Sequence, residues 1–159
     1  MKLALTLKIL SAIVLVSLTG CSDKDLPAQG DQKSYSPAVL QENRLMRSFA
    51  EKHPHHAILK YAEADLDNDG QEDVIVIYQV TKGQNEMCVV LQRGADCIES
   101  NSVPAPVSDQ LIQFKDIDSK PPLEFIVQGR KGPKVGYAIF RVDGGKLEDL
   151  FGQGMEDCC

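Results

Sequence analysis

Residues 65–73 read Asp-Leu-Asp-Asn-Asp-Gly-Gln-Glu-Asp. A hard divalent cation such as Ca²⁺ takes six to eight oxygen ligands, and acids at alternate positions of a tight loop can aim several at one point. On this pattern Asp65, Asp67, Asp69 and Asp73 offer side-chain oxygens and Gln71 a backbone carbonyl. Gly70 permits the sharp bend between them. Four uncompensated carboxylates in so short a loop repel one another, and a bound cation removes that cost. The ion expected is structural, since no nucleophile or general acid stands nearby in the sequence. The bland alternative is an Asn-Asp-Gly hairpin turn that holds no metal.

The other residues with chemical reach are the five cysteines. Cys88 and Cys97 flank a segment that turns at Arg93-Gly94-Ala95-Asp96, a hairpin that would bring them near opposition and within reach of a disulfide. Two unpaired thiols are the alternative. Cys158 and Cys159 are adjacent, and a disulfide between neighbours closes a small ring against a peptide bond that prefers trans. Two soft thiolates side by side can instead chelate a soft, thiophilic metal or organometal and pass it on by ligand exchange. Glu156 and Asp157 disfavour a free thiolate, but a metal displaces the thiol protons and is drawn by the same acids. The run His53-Pro54-His55-His56 reads as a solvated connector, and residues 129–136, GRKGPKVG, as a hairpin turn lacking the Lys-Ser/Thr ending of a phosphate loop. No Ser-His-Asp or paired-glutamate spacing stands out, which weighs against a hydrolase.

The elements that must position these groups follow from patterning. Lys2 and Lys8 precede an apolar run from Ile9 to Leu18 that is short for a membrane span, and residues 1–20 read as a secretory signal. Of 159 residues 139 then remain, enough for one domain with a core. The removed segment carries two lysines and no acid, so the net charge of −6 becomes −8. A chain this acidic suits cations and is a poor nucleic-acid binder. Residues 21–36 are polar and aperiodic, a tether. From Pro37 to Lys52, Val39, Leu40, Leu45, Met46 and Phe49 share a helical face, with Ser36 as N-cap and Pro54 as stop, so one amphipathic helix is predicted.

Beyond it the chain repeats itself. YAEADLDNDGQEDVIV from Tyr61 matches IQFKDIDSKPPLEFIV from Ile112 at a constant offset of 51, with Asp65 on Asp116, Asp67 on Asp118 and Asp73 on Glu124. The match continues, with a small gap, from CVVLQRGADCIE to YAIFRVDGGKLE. Two units of strand, acidic turn, strand, hairpin and strand predict a mainly β fold, two small antiparallel sheets packed face to face with the helix over one edge. The domain should span residues 37–154, with 155–159 a mobile tail. In the second unit Lys120 and Pro121 stand where the third acid and the glycine should be, so that loop is expected to bind nothing.

Three resemblances sharpen this reading. Leu18-Thr19-Gly20-Cys21 resembles the lipobox of bacterial lipoproteins, which implies cleavage before Cys21, lipid on its sulfur and stable anchoring by several acyl chains. Ser22 stands where inner-membrane-retained members of some bacteria carry Asp, which favours the outer membrane. The stretch ADLDNDGQEDVIV resembles the Ca²⁺ loop of FG-GAP/VCBS-type β repeats; position 12 of the loop is Val76 and a strand follows, which excludes an EF-hand. The Cys158-Cys159 ending is similar to that of the Cys-Cys-COOH (seleno)protein family, associated with a proposed selenocysteine-assisted organometal system, and to the vicinal pair of mercuric reductases. The resemblance implies a lipid-anchored, exported protein that binds or hands over soft metals or organometals through Cys158 and Cys159, with a transporter or thiol-redox partner. A Ca²⁺-braced structural or interaction lipoprotein, and a thiol-redox protein, are the other readings. Replacing Cys21 by Ser should abolish lipid labelling and processing before residue 21; unchanged lipid mass in that variant would remove the lipobox reading.

Overall fold

The structure, a computed structural model, describes residues 33–153. Cys21, Cys158 and Cys159 lie outside the described residues. In chain order come β1 (Lys33–Ser34), α1 (Val39–Glu42), α2 (Arg44–Lys52), β2 (Ala57–Ala64), β3 (Asp73–Thr81), β4 (Gln84–Arg93), β5 (Asp96–Glu99), β6 (Val103–Ala105), β7 (Ser108–Phe114), β8 (Phe125–Lys131), β9 (Lys134–Asp143) and β10 (Lys146–Gln153). The fold is mainly β. Strands β1 to β6 form one antiparallel sheet in the order β1-β2-β3-β4-β5, with β6 also paired to β4, and β10-β9-β8-β7 form a second.

Alternation along the strands decides what each face meets. In β3 and β4 the odd-numbered Ile75, Ile77, Met87, Val89 and Leu91 face the second sheet, packing with Phe125, Val127, Ala138, Phe140 and Val142. The even-numbered Val74, Val76, Tyr78, Cys88 and Val90 form a separate core with Leu45, Met46 and Phe49 of α2. The helices therefore cover the outer face of the first sheet and not, as expected, an edge. The signal was the unbroken apolar run Val74–Tyr78, since a strand buried on both faces shows no polar alternation.

The predicted single helix is two. Asn43 is extended (φ −108°, ψ 116°), ends α1 and caps α2, its side chain accepting from the Met46 amide at 3.0 Å. Asn competes locally for backbone hydrogen bonds in this way, so it favours caps over helix interiors. Ala38, and not Ser36, precedes the first turn of α1. The expected stop holds: α2 ends at Lys52, with His53 as its cap, immediately before Pro54.

The internal repeat is realised in three dimensions. Strands β2, β3, β4 and β5 correspond to β7, β8, β9 and β10. Asn68 and Ser119, 51 positions apart, both take φ of 60°. The hairpin closed by Arg93 and Asp96 corresponds to the one closed by Asp143 and Lys146, fifty positions on, which locates the gap between the loop and the hairpins. Between the units, the carbonyls of Pro106 and Val107 accept from Asn85 Nδ2 (2.9 and 3.1 Å) and from Gln110 Nε2 (2.9 and 3.1 Å). Gly129 is needed beside this connection, because a Cβ there would sit 2.3 Å from the Pro106 ring.

The hairpin turns at Gly94-Ala95 as expected, but its register pairs Cys97 with Gln92. Cys88 lies four residues further along β4, roughly 13 Å away at strand rise. That exceeds the reach of a disulfide, and both thiols are free. The expected Cys88–Cys97 bridge is therefore corrected. Burial pushes the Cys88 thiol up to about 12, with Glu99 and Glu86 adding to the effect. In folded protein iodoacetamide should leave Cys88 unmodified and reach it only on unfolding. Peptide mapping that found Cys88 joined to Cys97 would contradict this register.

Candidate functional site

The acidic loop joins β2 to β3 and is closed by the pairing of Ala64 with Asp73. Asp73 opens the central strand of its sheet and is fully buried. Its Oδ2 accepts from the Leu66 amide at 3.0 Å and its Oδ1 from the Gln92 amide at 2.9 Å. One carboxylate thus ties the loop to both β3 and β4. Asp65 organises the turn from the other side, accepting from the amides of Asp69 (3.1 Å) and Gly70 (3.0 Å). Gly70 has φ of 84°, the left-handed conformation for which its position calls.

Carboxylate oxygens of Asp65, Asp67 and Asp73 lie within 4.8 Å of one another, close enough to share one cation. The Asp67 side chain is only 8 % exposed. Its Oδ1 has no hydrogen-bond partner and its Oδ2 is ion-paired with the Arg93 guanidinium. Asp69 stands apart from this triad: its Oδ1 accepts from the Gln71 amide at 2.9 Å, and its Oδ2 meets Arg93 Nη1 at 2.9 Å. The Gln71 side chain accepts from Gln92 Nε2 at 3.1 Å, fastening the loop to β4 again. Of the five predicted ligands, then, three converge through their side chains, Asp69 faces a cation supplied by the protein, and Gln71 lies on the same turn.

Arg93 is the site residue that sequence reasoning missed. It reads as a hairpin corner, and only the β3–β4 register, with Val74 opposite Val90, carries it back to the loop. It supplies part of the counter-charge that four neighbouring acids require.

The second loop repeats the arrangement more closely than the substitutions in it suggested. Asp116, Asp118 and Glu124 also bring carboxylate oxygens within 4.8 Å of one another. Glu124 is buried, and its Oε2 accepts from the Ile117 amide at 3.1 Å, the counterpart of the Leu66–Asp73 bond 51 residues earlier. Asp116 and Asp118 are exposed, and Asp118 accepts from the Lys120 amide at 2.9 Å. Lys120 and Pro121 hold the positions of Asp69 and Gly70.

The histidine connector is not the solvated stretch expected. His53 and His56 stack on Tyr78, at centroid distances of 5.7 and 5.3 Å, and His53 Nε2 is 2.9 Å from Glu99 Oε2. Only His55 is exposed among the three. The hairpin expected at residues 129–136 is present, closed by Lys131 and Lys134. No protein family, curated protein or solved structure matches the chain.

Burial raises the Asp73 carboxyl to about 6 from an ordinary 3.8; the amides of Gln92 and Leu66 oppose this, and Asp67 and Asp69 add to it. The folded state therefore holds this proton to higher pH than the unfolded chain does. The contribution of this one group to stability is greatest below about pH 4, falls as pH rises to about 6, and is flat above, with at most about 3 kcal/mol lost. Melting temperatures in chelator across pH 4–7 should fall through this window for the wild type relative to Asp73→Asn, whatever the absolute stability of the variant. Parallel slopes would contradict the assignment.

Proposed function

We propose that this is an exported, lipid-anchored protein whose β domain is braced by Ca²⁺ at residues 65–73 and carries the vicinal thiols Cys158 and Cys159 as a ligand pair for soft metals or organometals. The observation that carries the calcium part is Asp67: a carboxylate nine-tenths buried, converging with Asp65 and Asp73, with one oxygen lacking any donor. A buried unpaired carboxylate oxygen is costly unless a cation or donor satisfies it. Asp65, Asp67 and Asp73 bind the ion directly, and Asp69 and Gln71 complete its shell once Arg93 yields. The thiol part is supported by the state of the inner cysteines. Cys88 is buried and held protonated, and the hairpin register separates it from Cys97, so neither forms a chelating pair with the other. The same separation weighs against an internal dithiol redox couple. A Ca²⁺-braced interaction lipoprotein is the second reading, favoured by the calcium site alone.

Native mass spectrometry of the reduced protein, titrated separately with Ca²⁺ and with Hg²⁺ or As(III), separates these readings. Asp67→Ala should lose the calcium adduct and the thermal stabilisation by calcium, and keep the soft-metal adduct. Cys158→Ser with Cys159→Ser should do the reverse, because a lone or absent thiolate forfeits the chelate advantage. Equal soft-metal uptake by both variants would leave the interaction lipoprotein as the better reading. Absence of any calcium adduct would reduce residues 65–73 to a turn.

A further inference from the structure

Strand β9 outruns its neighbour on one side. The described part of β10 closes its pairing with Phe151 opposite Ile139, Gly152 opposite Ala138 and Gln153 opposite Tyr137. Strand β9 begins at Lys134, three residues before Tyr137. On their other side Lys134, Val135 and Gly136 pair with Lys131, Arg130 and Gly129 of β8. A strand edge left beyond its neighbour is a template for more chain.

The side chains of this stretch say what would fit it. Val135 is 48 % exposed and shares the outer face of the second sheet with Tyr137, whose ring lies 5.8 Å from that of Phe151. By alternation Lys134 points to the opposite face, where it stands directly across from Lys131 at the Gly132-Pro133 turn. Like charges directly opposite one another on a hairpin repel. Lys82, on the β3–β4 hairpin, lines the same cleft as Lys131. Of the acids at this end, Asp109 pairs with Arg130 at 3.7 Å, and Glu86 accepts from the Tyr78 hydroxyl at 2.9 Å. Asp149 also lines the cleft, but it sits opposite Phe140, six residues along β9 from Lys134.

The residues that follow Gln153 are Gly154, Met155, Glu156 and Asp157, and they lie outside the described residues. The observed register, continued one for one, sets Gly154 opposite Gly136, Met155 opposite Val135 and Glu156 opposite Lys134. An apolar side chain then meets an exposed apolar one, and an acid meets a lysine, the cross-strand pairs that stabilise a sheet. A slip of one residue in either direction breaks both pairs.

We propose that residues 154–156 extend β10 along the edge of β9, with Met155 covering Val135 and the Glu156 carboxylate meeting Lys134, so that Cys158 and Cys159 are held at the lysine-bearing end of the two sheets. This is a docked tail in place of the mobile one expected from the sequence. It puts the thiols at the end of β3 and β8 opposite the acidic loops, which keeps the soft ligands away from the hard ones. It also alters their electrostatics: Glu156 is engaged by Lys134, and Lys82 and Lys131 at the same end are cations of the kind that favour a thiolate. The use made of the thiols rests on their reading as a ligand pair for soft metals; the docking does not.

The test is NMR of the reduced, metal-free full chain at low salt. Nuclear Overhauser contacts are expected between backbone protons of residues 154–156 and those of Lys134, Val135 and Gly136, with the Met155 and Glu156 amides as rigid as those of β10. Lys134→Glu, an exposed change that sets acid against acid, should erase the contacts of Met155 and Glu156 and leave the pairing of Phe151, Gly152 and Gln153 in place. Combining Lys134→Glu with Glu156→Lys should bring the contacts back. No contacts in the wild type, or contacts indifferent to Lys134→Glu, would overturn the proposal. Because no metal enters this measurement, a failure of docking is distinguishable from a failure of soft-metal binding, which the titration of the cysteine variants reads separately.

Discussion

A carboxylate taken wholly out of water at the head of each central strand, Asp73 as the first residue of β3 and Glu124 just before β8, is the constraint on which this molecule turns. Asp73 and Glu124 are 0 % and 1 % exposed. Each accepts an amide from the acidic turn that precedes its strand, Leu66 in one unit and Ile117 in the other. Removing such a group from water is tolerated only because the backbone donors replace its hydration. In exchange, the acidic turn is fixed against the sheet and its other acids are held at one point. The loop is polar because it is built around a carboxylate, and the sheet begins where that carboxylate begins.

The electrostatics of the first loop need more than those backbone donors. Asp65, Asp67 and Asp69 remain in close company with Asp73, and Arg93 reaches Asp67 and Asp69 from the β4–β5 hairpin. One guanidinium compensates part of this charge; a divalent cation compensates more and supplies ligation that Asp67 Oδ1 otherwise lacks. The two chemistries proposed for the chain then separate by hardness, oxygen ligands in the folded domain for a hard ion and sulfur ligands at Cys158 and Cys159 for a soft one.

Much of this was legible in the sequence because the repeat duplicates loop and strand together. The offset of 51 between Asp65 and Asp116 carried the two-sheet organisation, and the spacing of the acids in the first loop carried the convergence of Asp65, Asp67 and Asp73. What was not legible depends on register. Arg93 joins the site only because β3 and β4 pair with Val74 opposite Val90. The break at Asn43 lies inside a helical apolar pattern, and only its side-chain bond to Met46 reveals a cap. The placement of the helices on a sheet face could have been read from the unalternating Val74–Tyr78. The failure of the Cys88–Cys97 bridge follows from counting out from the Gly94-Ala95 turn, which pairs Gln92 with Cys97. Lys120 and Pro121 break the motif of the second loop, yet Asp116, Asp118 and Glu124 still converge.

We propose that the first loop, and not its repeat, binds calcium through Asp65, Asp67 and Asp73. Carbon-detected NMR of the side-chain carboxyls during a Ca²⁺ titration reads this at the ligands themselves. The Asp65, Asp67 and Asp73 resonances should move to saturation at one equivalent, while those of Asp116, Asp118 and Glu124 stay in place. Movement of both sets together, or of neither at millimolar Ca²⁺, would contradict it.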